Sequence, residues 1–559
     1  MKTAFLVLLC LFAGMSVLSA QTVTTLYTFN GLAAGDGLGQ WVAGAGDVNM
    51  DGYPDIIVGA PNADPGGLSN AGQATVFSGK DGSILHTFNG LVAGDSFGLP
   101  ANGAGDVNND GFPDLIVGAH KADPGGLSNA GQATVFSGKD GSVLYTLNGQ
   151  AASDYFSRQA TGVGDVNKDG HADFGVAAFR ADPGGLSNAG QVKIFSGKDG
   201  STLFTFNGLN AGDEFGCSIA GAGDVDGDGF PDIIVGALHA DPGGITSAGQ
   251  ARVFSGKDGS TLYTFNGLAQ SDYFGFPVNG AGDVNRDGFP DLLVGAYAAD
   301  PGGLRSAGQV RVFSGKDGSV LHTLNGYAAG NYLGYSLAGA SDVNRDGYAD
   351  FIVGAHGTAV AGPSNVGQAT VFSGQDGSVL HVFSGSAAAD EFGISVDGPG
   401  DLDRDGFPEL LVGAWKTDPG SLSGAGQAFV FSAATTVISG SGSPGIGKTI
   451  TLDLLAPGGN LVYQVGSSLG TGPIPIDTRL LHLSPDPLLF LSTGGLAPTV
   501  FSGYAGTLGA NGKGTAALHI PGVSALIGIR IHSAFVTIKS GAPSSIGSIS
   551  NTFSFTITK

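Results

Sequence analysis

The chain has few cysteines, few basic residues and, after its N-terminus, no long apolar run. Of its 559 residues only two are cysteine. Cys10 falls in a predicted signal peptide, which leaves Cys217 and excludes an intramolecular disulfide in the exported protein. Lys and Arg number 24 against 47 Asp and Glu, so the formal net charge is −23. Such a chain lacks the basic surface that nucleic acids and anionic membranes require, and no nucleic-acid partner is predicted.

Residues 1–20 predict a secretory signal peptide. Lys2 supplies the positive start, residues 4–17 form the apolar run, and Ala20 is a small residue before a cleavage site near Gln21. The run is too short to span a bilayer, and no later stretch has the length of a membrane helix. We therefore expect a secreted or cell-surface, extracellular protein with no transmembrane segment.

What the chain has in abundance is glycine, 100 residues of it, and a repeated acidic loop. The loop D-x-[DN]-x-D-G-x-x-[DE] occurs seven times, and each copy begins 59 residues after the last. A period of this size indicates one supersecondary unit arrayed many times. The seven copies begin at Asp47, Asp106, Asp165, Asp224, Asp283, Asp342 and Asp401.

Each repeat predicts four short strands and no helix. In the second repeat the strand-like runs are 97–103, 114–119, 132–136 and 142–147, with Gly- and Asp-rich turns between them. Four antiparallel strands per repeat and seven repeats predict an all-β fold, a seven-bladed β-propeller with four-stranded blades over residues 25–432.

The order of the strands favours a closed ring over an open solenoid. Residues 26–31 match the fourth strand of a repeat, yet they precede the first complete repeat. The last repeat stops after its third strand, near Phe431. We therefore expect the N-terminal strand to complete the seventh blade, which removes two exposed sheet edges. A linear solenoid, the alternative, would need capping units instead.

After the repeats the composition changes. Residues 439–447 are rich in Gly, Ser and Pro and predict a linker. Residues 448–559 carry no repeat and alternate in polarity in several runs, among them 449–455, 527–538 and 553–558. This pattern predicts a small β-sandwich-like domain at the C-terminus.

The acidic loop has the ligand pattern of a calcium site. Oxygens at positions 1, 3, 5 and 9 and the carbonyl at position 7 can converge on one hard cation, and Gly at position 6 permits the sharp turn. We therefore predict up to seven Ca²⁺ ions, one per blade. The predicted ligands by position are Asp47, Asp106, Asp165, Asp224, Asp283, Asp342 and Asp401 at position 1; Asn49, Asn108, Asn167, Asp226, Asn285, Asn344 and Asp403 at position 3; Asp51, Asp110, Asp169, Asp228, Asp287, Asp346 and Asp405 at position 5; Tyr53, Phe112, His171, Phe230, Phe289, Tyr348 and Phe407 at position 7; and Asp55, Asp114, Asp173, Asp232, Asp291, Asp350 and Glu409 at position 9.

Two other interpretations of the loop are weaker. An EF-hand carries Glu at position 12 and flanking helices, whereas position 12 of the first loop is Val58 and a β-run follows. Asp- and Asn-rich turns without metal are the second alternative. Seven copies that each gather three or four carboxylates, which repel one another without a cation, favour the metal.

The residues around the loop resemble the FG-GAP repeat. Phe97-Gly98 precedes the second loop, and Gly118-Ala119-His120 follows it. This family forms the seven-bladed propeller at the head of integrin alpha subunits, and the resemblance implies cage-type calcium sites between the first and second strands. Some repeats depart from the pattern: Leu38-Gly39, Phe156-Ser157 with Ala177-Ala178, and Leu333-Gly334.

The sequence favours a binding protein over an enzyme. Residues 442–449 spell a phosphate-binding loop and residues 466–470 spell G-x-S-x-G, but neither is followed by the helix that its chemistry needs. We predict a non-enzymatic extracellular adhesion or scaffold module with a protein or glycan ligand. A propeller lectin, or a secreted carbohydrate-active hydrolase or lyase, remains the alternative.

The loops on the face opposite the calcium loops are the longer ones, and partner binding concentrates in such loops. The sixth repeat departs from the others there, with Asn331 and Ala359 in place of aspartates and a changed loop over 358–365. We expect drift in a turn or, alternatively, a partner contact. The repeated acids of the other blades are Asp64, Asp123, Asp182, Asp241, Asp300 and Asp418 in one loop and Asp36, Asp95, Asp154, Asp213, Asp272 and Asp390 in the other.

Overall fold

A computed structural model describes residues 24–359 and 365–432 and, beyond them, a set of strands between residues 437 and 556. The first described part is a seven-bladed β-propeller in which each blade is a four-stranded antiparallel sheet. The predicted signal peptide and residues 360–364 of the sixth repeat lie outside the described residues. In the part of the chain that is described, no helix has the length and apolar character needed to cross a membrane.

In blades 1 to 6 the strands follow one another in the chain from the innermost to the outermost, and in blade 7 the N-terminal strand of the chain is the outermost. They are Trp41–Gly46, Asp55–Ala60, Gln73–Phe77 and Ile84–Asn89 in blade 1; Ala101–Gly105, Asp114–Ala119, Gln132–Phe136 and Val143–Asn148 in blade 2; Phe156–Gly164, Asp173–Ala178, Gln191–Phe195 and Thr202–Asn207 in blade 3; Phe215–Gly223, Asp232–Ala237, Gln250–Phe254 and Thr261–Asn266 in blade 4; Val278–Gly282, Asp291–Ala296, Gln309–Phe313 and Val320–Asn325 in blade 5; Ser336–Ser341, Asp350–Ala355, Gln368–Phe372 and Val379–Ser384 in blade 6; and Val396–Gly400, Glu409–Ala414, Gln427–Ser432 and the N-terminal Thr24–Asn30 in blade 7.

Short 3₁₀ turns lie between the second and third strands of six blades. They are Pro65–Gly67, Pro124–Gly126, Pro183–Gly185, Pro242–Gly244, Pro301–Gly303 and Pro419–Ser421.

The N-terminal strand closes the ring, as predicted. Thr24–Asn30 pairs antiparallel with Gln427–Ser432 and forms the outer strand of blade 7. Leu38 then bridges Gly426 of blade 7, in the same way as Phe97 bridges Gly72 between blades 1 and 2. Closure therefore repeats the contact that joins other neighbouring blades, and it covers edges that a solenoid would expose.

The core lies between the blades. The second strand of every blade is buried along its whole length, because both of its faces are covered by neighbouring blades. Phe88 of blade 1 stacks on Phe136 of blade 2 with their ring centroids 4.1 Å apart. These continuous apolar runs, such as Asp114–Ala119, are what a strand buried on both faces requires.

The first strand of blade 2 begins later than the sequence predicts. The strand is Ala101–Gly105, whereas the apolar pattern suggests a start at Phe97. Phe97 makes only an isolated bridge to Gly72 of the neighbouring blade, so the chain crosses between blades before the strand begins.

The residues from Thr435 to Lys559 belong to a second compact unit. It contains two main antiparallel sheets, and Val437–Ser441 of the first contacts Arg530–Ile538 and Phe553–Thr556 of the second. The first sheet contains Val437–Ser441, Thr449–Leu455, Lys513–His519 and Phe501–Ser502; the second contains Ala505–Thr507, Val462–Ser468, Arg530–Ile538, Ile546–Ile549 and Phe553–Thr556; and Pro473–Ile476 pairs with Arg479–His482 in a hairpin.

The start of the predicted linker is wrong. Residues 439–441 belong to the strand Val437–Ser441, because their backbone groups pair with Thr449–Leu455. Residues 442–448 lie outside the described residues. The strand predicted after the phosphate-loop letters is found at Thr449–Leu455.

Candidate calcium sites

Each acidic loop connects the first strand of its blade to the second. The position-6 glycines, of which Gly52 and Gly406 are examples, have φ between 85 and 90°. That left-handed conformation costs other residues energy, so the predicted role of this glycine in the turn is confirmed. The loop is wound tightly enough for its acidic side chains to face its own backbone.

The first loop shows how the acids hold the turn. Asp47 Oδ2 accepts a hydrogen bond of 2.7 Å from Gly52 N, and Asp47 Oδ1 accepts one of 3.0 Å from Asp51 N. Asn49 Oδ1 also accepts from Asp51 N, at 2.9 Å. Asp51 Oδ1 accepts from Tyr53 N at 3.0 Å. Backbone N–H groups of the loop thus orient the side-chain oxygens at positions 1, 3 and 5 without the help of an ion.

The position-9 acid ties the loop to the rest of the blade. In blade 1, Asp55 Oδ2 accepts from Val48 N at 2.9 Å, and Asp55 Oδ1 accepts from Gly79 N at 3.1 Å in the turn between the third and fourth strands. All seven position-9 side chains are fully buried. A carboxylate in such a place is stable as an anion only when hydrogen bonds or a cation compensate for the lost water.

Burial raises the pKa of the position-9 acids, and the other acids of the same loop raise it further, although backbone hydrogen bonds oppose the shift. The pKa rises to about 6 for Asp55 and to about 7 for Asp350. For Glu409 it rises to about 9, first through burial and then through Asp403, with Asp405 and Asp401 adding to the effect. The metal-free loops therefore hold charge at an energetic cost that a divalent cation would remove.

Blades 4 and 7 bring three carboxylates together. In each of these loops the oxygens of positions 1, 3 and 9 all lie within 4.8 Å of one another. Among the described residues, these are the two groups of three or more His, Cys, Asp or Glu side chains that are close enough to hold one metal ion. The two clusters consist of Asp224, Asp226 and Asp232 and of Asp401, Asp403 and Glu409.

These two clusters also contain buried oxygens without a donor. Asp224 Oδ1, Asp401 Oδ1 and Glu409 Oε1 are buried and have no hydrogen-bond partner in the described part of the chain. In the other five loops the corresponding Oδ1 of position 1 accepts from the position-5 N–H, as Asp47 Oδ1 does from Asp51 N. Oxygen-only donors with unused lone pairs fit calcium, so the residues present suit the predicted ion.

The remaining five loops carry Asn at position 3 and offer an amide oxygen there. Two of their position-5 acids face a lysine: Asp51 lies 3.7 Å from Lys80 Nζ, and Asp110 lies 3.8 Å from Lys139 Nζ. The third such pair is Asp228 with Lys257 in blade 4, at 3.5 Å. Sequence reasoning missed these lysines, although each occupies the same turn between the third and fourth strands.

The repeated acids on the opposite face brace their own loops. Asp64 Oδ1 accepts a hydrogen bond of 2.6 Å from Asn70 N, six residues further on, and the equivalent bond is present in five other blades. Asp36 Oδ2 likewise accepts from Ala33 N at 2.8 Å. Their repetition therefore has a structural cause. In the sixth repeat Ala359 cannot make this bond, and the altered segment that follows it, 360–364, lies outside the described residues.

Fold and loops together define a class of protein, a closed seven-bladed propeller with an acidic, oxygen-rich loop in every blade. The family model described as "FG-GAP repeat" matches residues 39–77, 100–136, 215–254, 278–313 and 333–372. These segments fall in blades 1, 2, 4, 5 and 6. Five of the seven blades therefore match FG-GAP repeats, and the chain is similar to integrin alpha subunits.

Three curated relatives show this similarity. The chain is 32% identical to integrin alpha-5 of Xenopus laevis over 43% of its own length and 23% of the relative. It is 30% identical to integrin alpha-V of Gallus gallus over 35% of the chain and 20% of the relative. It is 36% identical to human integrin alpha-IIb over 28% of the chain and 16% of the relative. The matched region thus spans about a fifth of these relatives.

Proposed function

We propose that this protein is an exported, calcium-binding propeller that serves as an extracellular binding module, for adhesion or as a scaffold. The clusters of blades 4 and 7 carry this proposal, because each joins three close carboxylates to a buried oxygen that lacks a donor. Calcium would supply charge compensation there. It would also fix the loop to the second strand through the position-9 acid, Asp232 or Glu409.

Binding, rather than catalysis, fits the arrangement of the acids. The acidic clusters recur with the repeat, and each is engaged with its own loop backbone, whereas an active site is a single constellation. Similarity to integrin alpha subunits agrees with an extracellular binding role, and export through residues 1–20 would place the protein there. Calcium at the loops would rigidify one face of the ring and leave the opposite loops to contact a partner.

A binding screen tests this function. The purified protein is applied to a glycan array and to a panel of immobilised extracellular proteins, in millimolar calcium and again in excess chelator. We expect selective binding that chelation abolishes, because the metal-free loops no longer hold the ring in one shape. Binding to neither surface would contradict the proposed module, and binding that survives chelation would contradict the role of calcium in it.

A matched pair of variants tests whether the effect of calcium on binding depends on the blade 7 cluster. Asp401→Asn removes one acid from the blade 7 cluster, while Asp81→Asn alters an exposed acid of a neighbouring turn. Asp81 accepts from Ser83 N at 2.9 Å and belongs to none of the predicted sites. The first variant should need more calcium for half-maximal binding, and the second should behave as the unmodified protein.

A further inference from the structure

A cavity of about 500 Å³ lies on the propeller axis. The first strands of all seven blades contribute to its wall. Its lining includes Arg158 and Tyr335, which lie at the start of first strands, and His356 and Trp415, which directly follow second strands. The cavity therefore extends to the face opposite the calcium loops, and its volume is typical of a site for a small molecule.

Three polar groups in the wall have no partner among the described residues. Gln40 Oε1 and His356 Nδ1 are buried and without a hydrogen bond. The guanidinium of Arg158 takes part in none of the ion pairs or side-chain hydrogen bonds of the described chain. Gln40 Oε1 and His356 Nδ1 have almost no accessible surface, whereas Arg158 lines the cavity. Polar groups away from bulk water are normally satisfied, so the unpaired Arg158 guanidinium points to a bound molecule.

The charge of the wall defines one part of that molecule. Glu391 is already engaged, because its carboxylate accepts from Trp415 Nε1 at 2.8 Å and from Lys416 Nζ at 2.6 Å. Asp397 Oδ2 accepts from Gly44 N at 2.7 Å, and burial raises the pKa of this acid. Arg158 is left as a cation without a counter-charge, and its planar fork of donors suits a carboxylate.

The aromatic residues of the wall define the rest. Trp41, Phe276, Tyr335 and Trp415 line the cavity. Tyr335 packs edge-on against His356 at 4.3 Å and against Phe276 at 5.9 Å, so the orientation of this wall is fixed. Aromatic faces next to a few polar groups suit a ligand with one apolar face and several hydroxyls.

We propose that the axial cavity binds a sugar acid the size of one monosaccharide. Its carboxylate pairs with Arg158, and the apolar face of its ring lies on the aromatic wall. The site goes beyond the proposed function, because it uses none of the calcium ligands and none of the long partner-facing loops.

Calorimetric titration of the full exported chain with D-glucuronate and D-galacturonate, in calcium, tests this site. D-Glucose tests the need for the carboxylate, and acetate tests the need for the sugar ring. The key variant is Arg158→Gln, which introduces the residue that blade 1 carries at the equivalent position, Gln40. The matched control is Arg180→Gln, because Arg180 pairs with Glu214 at 3.4 Å and does not line the cavity. Thermal unfolding confirms that each variant is folded.

We expect a uronate to bind with a Kd of about 1 mM, and Arg158→Gln to weaken it at least about tenfold because a charged hydrogen-bonded pair is lost. Arg180→Gln should bind as the unmodified protein does, and glucose and acetate should each bind at least about tenfold more weakly. Failure of the folded protein to bind either uronate would overturn the proposal. So would full affinity in Arg158→Gln, or equal affinity for glucose. None of these results bears on calcium-dependent binding in the screen above.

Discussion

At the scale of single residues, position 3 of the loop separates blades 4 and 7 from the other five blades. Position 3 is Asp in blades 4 and 7 and Asn elsewhere, and the two Asp loops leave the Oδ1 of Asp224 and of Asp401 without a donor. A higher count of charged ligands raises calcium affinity. These two loops should therefore form the tightest sites of the ring.

Exchanging Asp and Asn at position 3 tests this ranking by counting tight sites. A calcium titration of the unmodified protein should resolve two tight sites. Asp226→Asn should leave one, because blade 4 then carries the ligand set of the Asn loops, and Asn285→Asp should give three. Both variants keep a pattern that the fold already accommodates elsewhere. A count that does not follow position 3 would contradict the ranking.

Glu409 gives a pH dependence that appears only without metal. Its pKa in the folded protein is about 9 against an ordinary value of 4.5, so the folded state favours the protonated acid. The stability that this provides is complete below pH 4.5 and is lost as the pH rises towards 9. Between pH 7 and 9 the metal-free protein should lose up to about 1.4 kcal/mol of unfolding free energy per pH unit at this site.

Chemical denaturation of calcium-depleted protein at pH 7, 8 and 9 measures the effect. Glu409→Gln should flatten the decline, and so should saturating calcium, which stabilises the ionised acid. The unfolding free energy of the metal-free protein could instead stay constant or rise over this pH range. That result would contradict the burial of Glu409 among the acids of its loop.

At the scale of structural elements, the outer strand of blade 7 is the part that turns seven repeats into a ring. Thr24–Asn30 is separated from its pairing partner Gln427–Ser432 by nearly the whole propeller in sequence. Phe29 of this strand stacks on Phe77 of blade 1 with centroids 4.0 Å apart, as Phe88 stacks on Phe136 between blades 1 and 2. Closure is thus held by the same aromatic contact as an ordinary blade boundary.

A matched pair of truncations tests the docking of that strand. Phe29→Ala and Phe88→Ala each remove a ring that is 8% exposed. Each should lower the unfolding free energy by about 3 kcal/mol, because a large buried side chain leaves a cavity. Equal losses in chemical denaturation indicate a closed ring. A large loss for Phe88→Ala with none for Phe29→Ala would mean that the terminal strand is not docked.

At the scale of the whole molecule, much of the architecture could be predicted because the same pattern of strands and turns occurs seven times in the sequence. The offset of residues 26–31 against the repeat was enough to predict closure. The axial cavity could not be predicted in this way. Gln40 and Arg158 each occur once at their place in the repeat, His356 has a counterpart in His120 of blade 2, and only the closed ring brings Gln40, Arg158 and His356 together. A useful sign was present nonetheless, since Arg158 stands where blade 2 carries Leu99 and blade 7 carries Ile394.

In the C-terminal region, the sequence pattern predicts some of the strands but not all of their bounds. Alternating polarity correctly indicated strands such as Thr449–Leu455 and Arg530–Ile538. The Gly- and Ser-rich composition of residues 439–441 predicts a linker, whereas these residues pair in a strand. The type of a residue determines how well it suits a β-strand. Whether the residue pairs in a sheet also depends on the neighbouring strand that the rest of the chain provides.

The central claim is that calcium is a structural ligand of the propeller, and thermal unfolding with and without chelator tests it most directly. Metal bound only to the folded state stabilises it by mass action, and several sites add. In excess chelator the Tm should fall by roughly ten degrees or more, and added calcium should restore it. A Tm that is the same in millimolar calcium and in excess chelator would contradict the account.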